Sequence, residues 1–261
     1  MTAPSEALPR ASLFAPRHTA DAVFFPTMTA LVWLGIVMGF GGEMLRKADE
    51  GTLSYPLIVH VHAVVFMAWL AVFTAQVALI RTQRFAVHMT LGPAAMGLAG
   101  MMIVLGPWTA LFMQAHAFGT PASDPAFLAI PMSDMISFSG LVVAGYVIRG
   151  DRVLHKRLML LATLALADAG FGRWSGDLLG PILGSMLEPG FWRIYVPGYI
   201  LSAAVVLAVP IYDVATRGKL PRGEAPAVAW VLAWHVIAVA LYVNPDWSAF
   251  TSDLVRSLAG P

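Results

Sequence analysis

Residues 56–80 read PLIVHVHAVVFMAWLAVFTAQVALI, an apolar run without a lysine, arginine, aspartate or glutamate. The hydrocarbon core of a bilayer is about 30 Å thick, and a helix needs about 20 apolar residues to cross it. A helix also satisfies its own backbone hydrogen bonds, which lipid cannot do. This stretch therefore predicts a membrane-spanning helix.

Six other stretches have the same apolar character, and only 12% of the 261 residues are charged. A soluble domain carries about 25% charged residues. We therefore predict an all-α polytopic membrane bundle of about seven transmembrane helices, with one domain over residues 23–243. Gly35 and Gly39, spaced as G-x-x-x-G, favour close helix packing. The helices are predicted at 23–42, 56–80, 86–113, 127–148, 154–173, 194–215 and 226–243, with loops at 114–126 and 174–193.

Lysine and arginine are unevenly distributed between the two faces of this predicted bundle. Cytoplasmic loops of membrane proteins carry the excess, and here one face has eleven and the other five. The distribution predicts a cytoplasmic N-terminal tail at 1–22 and an external C-terminal tail at 244–261. The larger set is Arg10, Arg17, Arg81, Arg84, Arg149, Arg152, Lys156, Arg157, Arg217, Lys219 and Arg222. The smaller set is Arg46, Lys47, Arg173, Arg193 and Arg256.

Several kinds of chemistry are excluded by what the sequence lacks. There is no cysteine, which excludes disulfides, thiolate metal sites and iron–sulfur clusters. The phosphate-loop, H-E-x-x-H, G-x-S-x-G and G-x-G-x-x-G signatures are absent, and the last predicted helix has no lysine for a retinal Schiff base. The net charge of +1, with scattered basic residues, predicts no nucleic-acid partner.

Ionisable side chains inside membrane spans are costly unless they are paired or hydrated, so each one is a candidate for function. At a rise of 1.5 Å per residue, His62, Asp134 and His235 lie about 9–12 Å below the outer ends of their helices. Because the three share one level, we predict that they converge as metal ligands. Polar support is predicted from His60, Gln76, Asp168 and Arg173.

Structural roles explain the same residues as well. His60 and His62 lie about 200° apart around a helix and cannot both face one centre. A buried histidine can simply bond a backbone carbonyl or an aspartate, and Asp134 can form a structural ion pair with Arg173. Both interpretations stay open at the level of the sequence.

Two further histidines begin predicted helices at the basic face. His88 follows Arg84, and His155 precedes Lys156 and Arg157. If the two helices start side by side, both imidazoles can act as axial ligands of one heme iron. The alternative is that they are solvated or contact lipid phosphates.

Several short motifs occur along the chain, namely His60-Val61-His62, Trp69, Gln76, Arg84, His88 with Leu91-Gly92, Asp134, and His155-Lys156-Arg157-Leu158-Met159. These motifs resemble those of a group of uncharacterised bacterial multi-helix membrane proteins, and more distantly those of transmembrane cytochromes b and cytochrome oxidase assembly proteins. The resemblance implies a bacterial inner-membrane protein with a b-type heme or redox role, in which His62, His88 and His155 bind the cofactor.

The favoured functional prediction is therefore a membrane protein that binds heme b or a single metal ion held by histidine and carboxylate, with a redox-type role. Three alternatives stay open, namely a proton- or solute-coupled transporter, an intramembrane zinc hydrolase and a structural subunit of a membrane complex. Whether the protein is an enzyme is left open. The lipid bilayer is the predicted partner, together with another membrane protein or a second copy of the chain.

Overall fold

The computed structural model describes residues 14–259, which form eight α-helices, a short 3-10 helix at Pro125–Leu128, and no strand. The predicted all-α fold class is confirmed. The helices are α1 (Asp21–Asp49), α2 (Leu57–Arg81), α3 (Phe85–Ala117), α4 (Ala129–Val147), α5 (Arg152–Leu183), α6 (Phe191–Arg217), α7 (Glu224–Tyr242) and α8 (Pro245–Ala259).

Six of these segments are long and apolar enough to cross a membrane, in keeping with an integral membrane protein. They are α1, α2, α3, α6, α7 and the stretch Pro125–Val147, which includes α4. Helix α5 is longer than most of them but falls below this level of hydropathy, because several charged residues interrupt its apolar sequence.

Helix α5 occupies the centre of the bundle and packs against α1, α4, α6 and α7. Leu160, Ala162, Thr163 and Ala167 on this helix are completely buried. A helix enclosed by others does not need a lipid-compatible surface, so it can carry charged side chains that find partners inside the protein. Its central position explains why its sequence is the least apolar of the seven helices α1 to α7.

Small residues let α1 approach α5 closely, as the G-x-x-x-G spacing predicted. A Cβ atom at Gly39 would lie 2.1 Å from the carbonyl oxygen of Gly170, and one at Gly170 would lie 2.6 Å from that of Gly35. These separations are too short for any side chain. The two helices therefore touch backbone to backbone.

Two segments near the end of the chain are more ordered than predicted. Helix α5 continues to Leu183, so the predicted loop at 174–193 was wrong over its first half. The predicted C-terminal tail contains α8, which begins at Pro245. The side chain of Asn244, directly before it, accepts hydrogen bonds from the backbone amides of Asp246 and Trp247. Trp247 Nε1 then donates to the Ala126 carbonyl at 3.0 Å, which holds α8 on the bundle.

The bundle has two ends, which we name by their chemistry. The basic end is where α1, α3, α5 and α7 begin and α2, α4 and α6 end, and most of the predicted basic face lies there. The opposite end carries α8 and the connections between α1 and α2, α3 and α4, and α5 and α6. Arg10 and most of the predicted N-terminal tail lie outside the described residues.

Candidate functional site

A histidine and an aspartate form a buried pair in the interior of the bundle. His235 Nε2 on α7 lies 2.6 Å from Asp168 Oδ2 on α5, a hydrogen bond between side chains that are 2% and 3% exposed. In the predicted helix 154–173, Asp168 would lie toward the outer end. It lies instead at the middle of α5, because α5 continues to Leu183.

Two further ionisable side chains accompany this pair. Tyr199 on α6 is buried and stacks on the His235 ring, with centroids 4.5 Å apart. Asp134 on α4 is also buried and lies within electrostatic reach of Asp168 and Arg173. Four helices, α4 to α7, thus bring ionisable groups to one place, and we call Asp134, Asp168, Tyr199 and His235 the central cluster.

Several polar atoms around the central cluster have no hydrogen-bond partner within residues 14–259. Nearly all buried polar atoms in native proteins are paired with protein or water. Atoms without a protein partner are available to bind a proton, a water molecule or a polar ligand. They are Asp168 Oδ1, His235 Nδ1, the Tyr199 hydroxyl and, one helical turn from Tyr199 and Asp134, the hydroxyls of Ser202 and Ser137.

Arg173, predicted as polar support, lies on α5 between the central cluster and the opposite end. Its Nε donates to Glu43 Oε2 at 2.6 Å, and a terminal nitrogen donates to the Ala169 carbonyl at 2.7 Å. The guanidinium also lies over the Phe40 ring, 4.4 Å from its centroid. Arg173 therefore joins α5 to α1 through Glu43, and the predicted ion pair with Asp134 is replaced by this one.

The α2 residues predicted to join the site make their contacts elsewhere. His62 is half-buried and stacks on Phe66, with centroids 4.0 Å apart. His60 is exposed, and its Nδ1 lies 3.3 Å from the Pro56 carbonyl oxygen. Gln76 reaches the basic end, where its Nε2 donates to the backbone carbonyl of His88 at 3.3 Å.

The predicted metal-ligand set of His62, Asp134 and His235 is not assembled. In the part of the chain that the structure describes, no three histidine, aspartate or glutamate side chains are arranged to hold a metal ion. His235 is bonded to Asp168 instead, and His62 lies against Phe66.

His88 and His155, by contrast, are brought together at the basic end. Their ring centroids are 6.4 Å apart and the rings are nearly perpendicular, at 78°. His155 Nδ1 lies 2.8 Å from the Gly145 carbonyl oxygen and donates to it. His88 Nδ1 has no hydrogen-bond partner among the described residues.

A second set of buried charges lies at the basic end, and the sequence analysis missed its acidic members. Arg157 is completely buried and donates from Nε and a terminal nitrogen to both carboxylate oxygens of Asp213. Arg217 donates to Asp213 at 2.9 Å and to Asp21 at 2.7 Å, and Lys156 donates to Asp21 at 2.8 Å. We call the set the ion network; its members are Asp21, Lys156, Arg157, Asp213, Arg217 and Glu224.

These acidic residues escape notice in the sequence because they stand at helix ends, where a charged side chain is usually solvated. One local signal was available, since Asp213 precedes Arg217 by one helical turn and such pairs meet on a helix surface. Nothing in the sequence indicated that Arg157 would turn inward to the same carboxylate. Tyr199 was missed because a tyrosine in an apolar helix is normally packing material.

Comparison with known protein families, with curated proteins and with solved structures gave no match to this chain. The resemblance to cytochromes b and oxidase assembly proteins therefore stays a prediction. The function has to be argued from the central cluster, the ion network and the histidine pair themselves.

Proposed function

We propose that this protein moves protons across a membrane as a proton-coupled transporter, with the central cluster as its proton-binding site. The observation that carries the proposal is the buried hydrogen bond between His235 and Asp168, with a second buried carboxyl group nearby at Asp134. Ionisable groups inside a membrane bundle are costly to keep, and proton relays are one of their main uses.

The cluster has the composition of a site that changes its charge one proton at a time. His235 and Asp168 can exchange a proton across 2.6 Å. A protonated His235 offsets one carboxylate but not two, so the second carboxyl group must hold a proton to be neutral in this low-dielectric interior. Each proton that enters or leaves therefore changes the net charge of the cluster.

In the proposed topology α1 to α7 all cross the membrane, with α5 as the central span. The basic end faces the cytoplasm, following the rule that lysine and arginine accumulate there. Helix α8 then lies on the external surface, and a bacterial inner membrane is the proposed location. Helix α5 packs against four other helices. This central position supports the proposal that α5 crosses the membrane together with the six more apolar segments.

A transporter must open its site to one side at a time. The ion pair of Arg173 and Glu43 joins α5 to α1 on the opposite-end side of the cluster. We propose that this pair parts when the cluster opens toward that end. Both partners are partly exposed, with side-chain exposures of 35% and 22%, so water can replace their contact at moderate cost.

The test is proton flux into liposomes that contain the purified protein and a trapped pH-sensitive dye. Flux is recorded against panels of small carboxylates, amines, sugars, peptides and inorganic cations. Wild-type protein should move protons with at least one class, and Asp168→Asn should reduce that flux at least tenfold. The matched control is Asp177→Asn, the same chemical change at an exposed position of the same helix, which should keep wild-type flux.

Two results would overturn the proposal. One is a wild-type protein that moves no protons with any class of solute. The other is an Asp168→Asn protein that transports as fast as the wild type. A parallel loss of flux in Asp177→Asn would show that the change damages α5 in general and would also count against the assignment.

A second candidate function rests on His88 and His155. A ligand histidine commonly donates its other ring N–H to a backbone carbonyl, as His155 does to Gly145. Two imidazoles with centroids 6.4 Å apart at the start of α3 and α5 suit a b-type heme or a single metal ion, which would supply redox chemistry. We propose this as the runner-up, in line with the predicted heme role.

An absorption spectrum and a metal analysis of protein purified from its native membrane test this alternative. Heme binding predicts a Soret band that shifts on reduction and is lost in His155→Ala. The exposed His60 gives the control, because His60→Ala should leave the band unchanged. A colourless, metal-free preparation would remove the alternative.

A further inference from the structure

The ion network contains one buried carboxyl group that receives no hydrogen bond from its neighbours. Glu224 is the first residue of α7 and is completely buried. No group donates a hydrogen bond to Oε1 or Oε2 in the described part of the chain. Its charged neighbours are the Asp213 carboxylate, to which Glu224 can donate only as the protonated acid, and Arg157 Nε at 3.7 Å, which is too long for a hydrogen bond.

The chain is built to bring Glu224 into this position. Gly223, directly before it, has a φ of +88°, a left-handed conformation that favours glycine. A Cβ atom there would lie 2.6 Å from Leu154 Cδ2, so any other residue would force the Leu154 side chain to shift. Leu154 is one helical turn from Arg157, and Glu224 is thereby held against the guanidinium.

Opposing influences act on the charge of Glu224. Arg157 on α5, Arg217 on α6 and the N-terminus of α7 favour a negative charge. Burial and the neighbouring carboxylate of Asp213 favour the neutral acid. Arg157 does not hold Glu224 in its charged form by a hydrogen bond, because it already donates to both oxygens of Asp213 and to the Val153 carbonyl.

We infer that Glu224 is a second proton-binding site, through which protons pass between the central cluster and the basic side. The step adds one proton to the carboxylate and later releases it, and no other bond changes. Arg157 and Asp168 lie about 16 Å apart along α5, so the two sites stand at different depths of the same route. This inference rests on the proposed proton-coupled function and extends it.

The segment that precedes α1 covers the ion network and so limits access to Glu224 from the basic side. The Phe14 ring lies 5.0 Å from the Arg157 guanidinium and 5.2 Å from that of Arg217. The Ala15 carbonyl accepts a hydrogen bond from Arg217 Nε at 3.1 Å. A proton that reaches Glu224 from this side must pass the segment or the water beside it.

Infrared difference spectroscopy of the protein in lipid nanodiscs, between acidic and neutral pH, tests the inference without any transport. The wild-type spectrum should contain the C=O absorption of a buried carboxylic acid that is missing in Glu224→Gln. Glu224→Asp keeps a carboxyl group and should retain a band, which separates loss of the site from loss of the fold. Glu188→Gln, the same change at an exposed glutamate, should leave the spectrum unaltered.

The flux assay distinguishes this inference from the proposed function. If the protein is not a proton-coupled transporter, the wild type moves no protons. If only the role of Glu224 is wrong, the wild type transports and Glu224→Gln either transports equally well or gives the wild-type infrared spectrum. The expected result is loss of the band together with at least a tenfold loss of flux.

Discussion

The central cluster and the ion network are both buried and both contain aspartates, yet they are satisfied to different degrees. In the ion network Arg157, Arg217 and Lys156 donate to Asp213 and Asp21 through several hydrogen bonds. In the central cluster one imidazole meets one carboxyl group, and the remaining atoms lack partners within residues 14–259. The difference separates charges that hold helices together from charges that can change.

This contrast has a physical basis. Arginine stays charged under all ordinary conditions, so its ion pairs fix the charge of the carboxylates that they contact. Histidine changes its charge near neutral pH, so its hydrogen bond with a carboxyl group can pass from one protonation state to another. The ion network should therefore control stability and the central cluster should control proton binding, with Glu224 as the one member of the network that behaves like the cluster.

The largest expected effect comes from breaking the ion network at its centre. Arg157→Met leaves Asp213 buried without its main partner and should lower the free energy of unfolding by about 3–5 kcal/mol. Unfolding is followed by tryptophan fluorescence during SDS titration of mixed micelles. The control is Arg46→Met, which removes an exposed arginine that pairs with exposed Asp177. This change should lower the free energy of unfolding by less than about 1 kcal/mol. If both variants lost the same free energy of unfolding, the ion network would not have the structural role assigned to it.

A second substitution asks whether helix packing rather than charge sets the remaining stability. Gly39→Ala places a methyl group 2.1 Å from the Gly170 carbonyl oxygen and should lower the free energy of unfolding by about 1–3 kcal/mol. Gly41→Ala is the control on the same helix, because its Cβ would meet nothing within 4 Å. If Gly39→Ala left the free energy of unfolding unchanged, α1 and α5 would not be in contact as described.

A substitution in the central cluster should affect proton flux far more than stability, unlike one in the ion network. Asp168→Asn keeps a hydrogen-bonding group beside His235 and should lower the free energy of unfolding by only about 1 kcal/mol, while proton flux is lost. The same SDS titration measures the stability. A loss as large as that of Arg157→Met would show that the pair is primarily structural and would abolish the contrast between the two regions.

The smallest effect is expected at the segment that covers the ion network. Phe14→Leu keeps an apolar side chain but removes the ring contacts with Arg157 and Arg217, and should lower the free energy of unfolding by about 0.5–1 kcal/mol. Hydrogen exchange at residues 14–20 should become faster. Phe250→Leu, at a 59% exposed position of α8, should change neither quantity. Unaltered exchange in Phe14→Leu would mean that the ring does not anchor the segment.

Much of the fold could be predicted from the sequence because each helix is recorded locally as a run of apolar residues. Seven of the eight helices were predicted, five of them within about four residues at each end, whereas α1 and α5 extend seven and ten residues beyond their predicted ends. Helix α8 was missed because it is short and polar and depends on Asn244 as a cap and on Trp247 for attachment. The length of α5 was underestimated because Gly, Asp and Arg near its end are typical of loops, whereas here Arg173 pairs with Glu43 on α1 and the helix continues to Leu183.

The candidate site was predictable only in part. The depth of Asp134 and His235 within the bundle could be predicted from the rise per residue of a helix. The proximity of His88 and His155 could be predicted because their two helices begin at the same end. Which helices are neighbours is not recorded in any local pattern, so His62 was assigned to a metal site that is not assembled. For the same reason, the contacts of Asp21, Asp213 and Glu224 were not foreseen.

The central claim is that Asp168 and His235 hold an exchangeable proton, and ¹⁵N NMR of labelled histidines in lipid nanodiscs tests it most directly. His235→Gln identifies the signal of His235 by its disappearance. The account predicts that this imidazole changes its protonation state with pH and that the midpoint of the change moves in Asp168→Asn but not in Asp177→Asn. A His235 ring that keeps one protonation state wherever the protein is folded, in both wild type and Asp168→Asn, would contradict it.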